Sequence, residues 1–231
     1  MCGRFVQFSS LRTLETFFPI ELADGEVTAS YNIAPTQQVW AIIHHQGRRL
    51  EKLHWGLVPS WAKDLTGASR LINARAETAA QKPSFRAAFK RRRCLIMADG
   101  FYEWQGEKGS KQPYFIALPS KTPFAFAGLW ETWQSKEPAD DPVYLSCTIL
   151  TTAASESLQQ IHPRMPVILQ PAAYEDWLDP KIQEPDRLED ILQNQHVRQM
   201  QSYPVSQLVN RVQNNSAACI QPLSESQHSR H

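Results

Sequence analysis

The 231-residue chain lacks any apolar run approaching the roughly 18 residues that cross a bilayer, and its first residues carry no hydrophobic signal region. These absences exclude a helical membrane protein and lead us to expect an intracellular soluble one. Cysteine is scarce, with four residues at 2, 94, 147 and 219, never in the close CxxC spacing of a zinc site or a redox motif. The chain is also too long for a disulfide-stapled mini-domain, so free thiols are expected. His44, His45 and His54 share no convincing ligand spacing with a carboxylate or cysteine, and neither a metal nor another cofactor is expected. No internal repeat and no stretch of linker composition breaks the chain. What is present argues against disorder: 42% hydrophobic residues, 10% aromatic and seven Trp fit one packed domain or two small ones.

The net charge of +1 conceals an uneven distribution. Residues 70–93 hold Arg70, Arg75, Lys82, Arg86, Lys90, Arg91, Arg92 and Arg93 against a single acid, Glu77, leaving the rest of the chain with 16 basic and 22 acidic residues. Such an island suits a local polyanion site or, equally, a solvated helix face. The run from Lys90 to Arg93 reads in part as a solvated helix end.

Short apolar runs bounded by turn residues predict strands at Val39–Ile43, Leu50–Trp55, Cys94–Ala98, Tyr114–Leu118, Phe124–Leu129, Tyr144–Leu150 and Pro166–Leu169. Helical periodicity predicts helices at Leu11–Phe18 behind Ser10 as N-cap, Phe85–Phe89, Ala172–Leu178 and Leu188–Leu192, and Ser155–Gln160 looks helix-like. Loops are expected at Pro59–Ser69, Gln105–Gln112 and Ser135–Pro142. Strands follow one another without a helix between each pair, which points to an α+β, strand-rich, mostly antiparallel and barrel-like sheet with peripheral helices.

Removal of Met1 before the small Cys2 leaves a terminal 1,2-aminothiol. Its amine and thiol have reference pKa values of about 8 and 8.5, so both are partly nucleophilic near neutrality; nearby cations would lower these values, and desolvation would oppose the thiolate. Such a terminus condenses with an aldehyde to an imine, and the thiol then closes a five-membered thiazolidine by intramolecular attack, with an effective molarity of about 10⁵ M or more. Two other readings of Cys2 stand beside this one. It is a small apolar residue opening a strand through Phe5 and Phe8, or it resembles the N-terminal nucleophile of class II glutamine amidotransferases, whose aliphatic residue after Gly is replaced here by Arg4.

Met1-Cys2-Gly3-Arg4-Phe5, Tyr31–Pro35, Trp55–Trp61, Ile72–Thr78, Gly100–Trp104 and Ile161–Pro166 occur in order along the chain. Together they resemble the SRAP family, the SOS response-associated peptidases or abasic-site processing proteins. The resemblance implies one SRAP domain over 1–222 with a polar tail at 223–231. It implies a monomer, cytoplasmic and nucleoid-associated in a bacterium, that crosslinks itself through Cys2 to the aldehyde of an abasic site in single-stranded DNA and shields the lesion. A family-level peptidase activity, limited to removing Met1, and lyase-related chemistry come with it. A plain single-strand DNA-binding module and an amidohydrolase remain the rivals.

By the same resemblance Cys2, Asn73, Glu103 and His162 form the catalytic set. Glu103, in the strand-like Phe101–Trp104, has Tyr102 and Trp104 on the opposite face and an environment expected to raise its pKa, which suits a proton shuttle. His162, before Pro163, suits acid–base work on the sugar oxygen, and Asn73 suits orienting the Cys2 amine or a sugar hydroxyl. Arg4, Arg75 and Arg164 are the expected phosphate contacts, Trp61 and Trp104 the expected stacking platforms, and Pro35 is expected near a bent strand. The chain departs from the family pattern at Arg211, where a second Asn or a small polar residue is expected, and at Pro163, often acidic.

Overall fold

The computed structural model describes residues 2–23, 25–107, 109–135 and 143–223. The strands are β1 (Phe5–Gln7), β2 (Leu22–Ala23), β3 (Ser30–Ile33), β4 (Gln38–His44), β5 (Arg48–Trp55), β6 (Asn73–Arg75), β7 (Arg93–Ala98), β8 (Gly100–Gln105), β9 (Gln112–Ala117), β10 (Phe124–Trp133), β11 (Tyr144–Ala153), β12 (Arg164–Pro166), β13 (Ile168–Leu169) and β14 (Gln201–Pro204). The helices are α1 (Leu11–Phe17), α2 (Ala76–Ala79), α3 (Arg86–Arg91), α4 (Tyr174–Leu178) and α5 (Pro185–Asn194). Among the described residues no helix is long and apolar enough to cross a membrane.

Alternation decides how these strands assemble. In β4, Val39, Ala41 and Ile43 join one core while Trp40 and Ile42 join another, so both faces of the strand are covered. β11, β10, β7, β4 and β5 pair antiparallel in that order, and β5 returns to β11 through a parallel pairing of Trp55 with Cys147, closing five strands into a barrel. The helices pack on the core holding Trp40, Leu95 and Leu150. A second sheet, ordered β14-β9-β8-β1-β3 and antiparallel throughout, supplies Phe5, Phe101 and Ile116 to the other core. Phe5 meets Trp55 and Phe126 edge-on at centroid distances of 5.1 and 5.6 Å. Burying one such ring contributes about 1.5–3 kcal/mol, enough to anchor a three-residue strand.

The expected fold class is the observed one, with differences in detail. Pro166–Leu169 divides into β12 and β13 because Val167 turns to bond Leu150 and Ala127, at 2.9 and 2.8 Å. The Ser155–Gln160 stretch is a chain of turns rather than a helix, closed by the His162 amide on Leu158 at 3.0 Å. Ser10 does cap α1, accepting from the Thr13 amide at 3.3 Å. Most of the loop expected at 135–142, and the tail from 224, lie outside the described residues. Gly56 stands at φ +140°, where an added Cβ would lie 2.6 Å from the Ala68 carbonyl, so the turn into residues 57–71 has no room for a side chain.

The basic island divides by role. Arg93 is 2% exposed; it donates to the carbonyls of Trp177 (2.7 Å), Phe89 (3.0 Å), Lys90 (2.6 Å) and Asp179, and lies over the Trp177 ring. Arg92 pairs with Glu131 at 2.7 Å. Burial lowers the Arg93 pKa to about 10, yet a cation is retained because four carbonyls converge on it. Removing it strands those acceptors, each at a cost of about 1–3 kcal/mol. Arg93→Met is therefore expected to lower the unfolding free energy by about 3 kcal/mol or more, read from urea midpoints; an unaltered midpoint would show that the carbonyls find other donors.

Candidate active site

β1 lies between β8 and β3, and the ring of Phe5 fixes it against the barrel. This carries Cys2, three residues earlier, into the core between the two sheets, fully buried beside Trp55 and Phe101. Burial, and secondarily the charge of Glu103, pushes its thiol pKa well up. The expectation that a neighbouring cation would lower that pKa gives way to desolvation. Arg4 turns its guanidinium elsewhere, donating to Asn32 Oδ1 at 2.6 Å and to the Val209 carbonyl at 2.7 Å.

Asn73 opens β6, which pairs in parallel with β11, Asn73 standing opposite Ile149. From there its Nδ2 donates to the Cys2 carbonyl at 2.8 Å. Its Oδ1 is buried with no partner among the described residues, an acceptor left for a group that substrate or the matured terminus brings. The same strand turns Arg75 to the exterior.

Glu103 lies in β8 with 5% exposure, while Tyr102 and Trp104 leave by the other face into a third, smaller core. Burial raises its pKa, with the positive amino terminus and His162 pulling the other way. These mutual influences place Glu103 electrically between the Cys2 thiol and the imidazole. His162 Nδ1 sits 3.0 Å from the Arg164 amide and 2.9 Å from its carbonyl. A ring bare at Nδ1 accepts from the first, and one carrying its proton at Nδ1 donates to the second.

Of the other expected residues, Trp104 is half-buried, its Nε1 donating to Asn210 Oδ1 at 2.8 Å and its ring beneath Arg4 Cζ at 5.9 Å. Trp61 is 67% exposed on the 57–71 loop, and Pro35 is half-buried before Thr36, whose φ is +73°. Among the described residues neither is hydrogen-bonded to Cys2, Asn73, Glu103 or His162. Arg164 is engaged rather than open. Its two terminal nitrogens hold both oxygens of Glu77, at 2.8 and 3.0 Å, and one also donates to the Thr151 carbonyl at 2.5 Å. An ion pair whose carboxylate is half exposed contributes only about 0–1 kcal/mol. Among the described residues no three or more His, Cys, Asp or Glu are grouped so that they could hold a metal ion.

Sequence reasoning missed the hub at Asn32. This residue is 2% exposed, and its amide donates to the carbonyls of Val209, Arg211 and Asn214 at 3.2, 3.0 and 2.7 Å. Arg211, where a smaller residue was expected, contributes its backbone to this hub. The available signal was an Asn set inside an apolar strand, a position that folding tolerates only with full hydrogen bonding.

Residues 1–212 match the family model described as SOS response associated peptidase (SRAP). The chain is 46% identical over 225 residues to the abasic site processing protein YoqW of Bacillus subtilis, covering 96% of this chain and 99% of that one. It is 32% identical to the abasic site processing protein HMCES of Gallus gallus, over 89% of this chain and 69% of the other. A crystal structure of a Bacteroides thetaiotaomicron protein superposes with a TM-score of 0.82 at 22% identity, over 96% of this chain and 100% of that one, a likeness of fold alone.

Proposed function

The chain belongs to the SRAP family, and on that footing we propose that it acts in the DNA damage response by recognising abasic sites in single-stranded DNA and capturing them covalently through Cys2. Removal of Met1 frees the Cys2 amine. That amine, in its neutral form, adds to the C1 aldehyde of the ring-opened sugar and expels water, giving an imine. The thiol sulfur then bonds to the same carbon while the imine π pair moves to nitrogen. The thiol proton leaves through Glu103 and returns to the ring nitrogen, so the thiazolidine forms with no external oxidant or reductant.

The observation that carries this reading is the grip on Cys2: Asn73 Nδ2 on its carbonyl at 2.8 Å, with Glu103 buried close enough to act on its thiol. A raised thiol pKa keeps sulfur protonated until the imine exists, which orders the two attacks. His162 supplies a proton to the departing ring oxygen. Asn73 Oδ1, buried and open to a new donor, holds the amine or the freed hydroxyl. The protein works as a monomer in this reading, with Trp61 as a stacking surface and Arg75 as the ready phosphate contact.

Mixing the processed protein with a single-stranded oligonucleotide carrying one abasic site is expected to give a heat-stable shifted band on a denaturing gel. Absence of any stable adduct would remove the covalent reading, and glutamine hydrolysis without DNA would replace it with the amidohydrolase. Arg75→Ala is expected to weaken binding to all sequences alike and to flatten the salt dependence of log affinity by about 0.7, the share of one phosphate on a single strand.

A further inference from the structure

We propose that Glu77 is a specificity-determining residue that occupies Arg164 in the place of a phosphate, holding down the protein's affinity for undamaged single strands. The inference rests on the reading of this surface as a DNA-binding one, and it concerns a residue outside the chemistry at Cys2.

The geometry is that of an anion already in place. Both terminal nitrogens of Arg164 reach Glu77, one to each carboxylate oxygen at 2.8 and 3.0 Å, the parallel two-bond fit a guanidinium also gives a phosphate. Nη2 also turns inward, to the Thr151 carbonyl and hydroxyl at 2.5 and 3.2 Å, which aims the fork at Glu77, while Nε is buried with no partner among the described residues. β11 explains the convergence: Thr151 stands opposite Arg75 on one neighbour and Ala153 opposite Arg164 on another, so Arg75, Glu77 and Arg164 meet at one end of one strand. Arg75, exposed two residues before Glu77, also acts electrostatically on that carboxylate.

Two arginines and one glutamate therefore present one net positive charge where two would otherwise stand. A half-exposed ion pair is weak enough to be exchanged. A strand fixed at its lesion by a covalent bond can make that exchange at leisure. A strand passing without a lesion meets Arg164 already neutralised and gains little from it.

The test is fluorescence anisotropy with a labelled oligothymidylate that has no abasic site, titrated from about 50 to 200 mM salt. Glu77→Gln, which keeps the shape and removes the charge, is expected to tighten binding on the order of fivefold at low salt and to steepen the slope of log affinity against log salt by about 0.7. Arg164→Met alone, which leaves Glu77 uncompensated beside Arg75, is expected to weaken binding and flatten the slope, and Glu77→Gln combined with Arg164→Met to return to the parental slope. The inference is overturned if Glu77→Gln leaves slope and affinity unaltered or weakens binding, or if the double variant binds as tightly and as steeply as Glu77→Gln alone. Any of those results with a parent that binds the oligonucleotide refutes Glu77's role and spares the wider reading. A parent with no salt-dependent affinity refutes both.

Discussion

Cys2→Ala is expected to abolish the heat-stable adduct with abasic single-stranded DNA, with no residual band at any incubation time. The amine survives in this variant and can still form an imine, but an imine reverts in water, whereas the thiazolidine is held by a second bond that only sulfur supplies. The expected result is therefore a split: borohydride, which reduces an imine to a stable amine, traps the alanine variant, while unreduced samples show nothing. The loss should not be a folding effect. Cys2 contributes one small side chain to a core that Phe5, Trp55 and Phe101 already fill, so its removal should cost about 1 kcal/mol or less, close to one methylene equivalent. A heat-stable unreduced adduct in the variant would locate the nucleophile elsewhere.

Glu103→Gln carries the second large effect, a slowing of adduct formation by about 10²-fold, the lower end of what a positioned acid–base group supplies. The variant keeps the shape and the strand, so the loss should appear in the rate at saturating DNA rather than in affinity. Direction of titration adds a second readout. Burial holds the Glu103 pKa above its ordinary 4.5, so the folded protein retains a proton at a pH where the unfolded chain has released it. The stability this confers is complete below the unfolded value and is lost as pH rises through the folded value. Urea midpoints of parent and variant should converge in acid and separate with rising pH, the variant being the more stable. An unchanged rate together with parallel pH profiles would leave Glu103 no part in proton transfer.

Local patterns were legible in the sequence and pairings at a distance were not. Apolar alternation located β4, β5, β7 and β10, and Ser10 announced α1, because each depends on neighbours within a few residues. The ordered motifs named Cys2, Asn73, Glu103 and His162, which the fold brings into one neighbourhood from the segment before β1, from β6 and β8, and from the turn before β12. The arginines were harder. As residue types Arg4, Arg75 and Arg164 are alike, and only the folded chain shows that Arg4 is held by Asn32 and Val209, Arg164 by Glu77, and that Arg75 alone of the three stands open. The charge run ending at Arg93 misled in the same way. A cation at a helix end reads as solvated unless four carbonyls from two segments are known to surround it.

The bonds from Arg4 and Asn32 to Val209 tie the chain's beginning to residues some two hundred positions later. During synthesis β1, with Cys2 just before it, emerges first and must wait for β8, about a hundred residues on, and then for the closing segment past β14. Contacts of such separation are slow to form. A nascent or truncated polypeptide thus leaves the ribosome with Cys2 on an unfinished edge, and the pocket is assembled only when translation is nearly over.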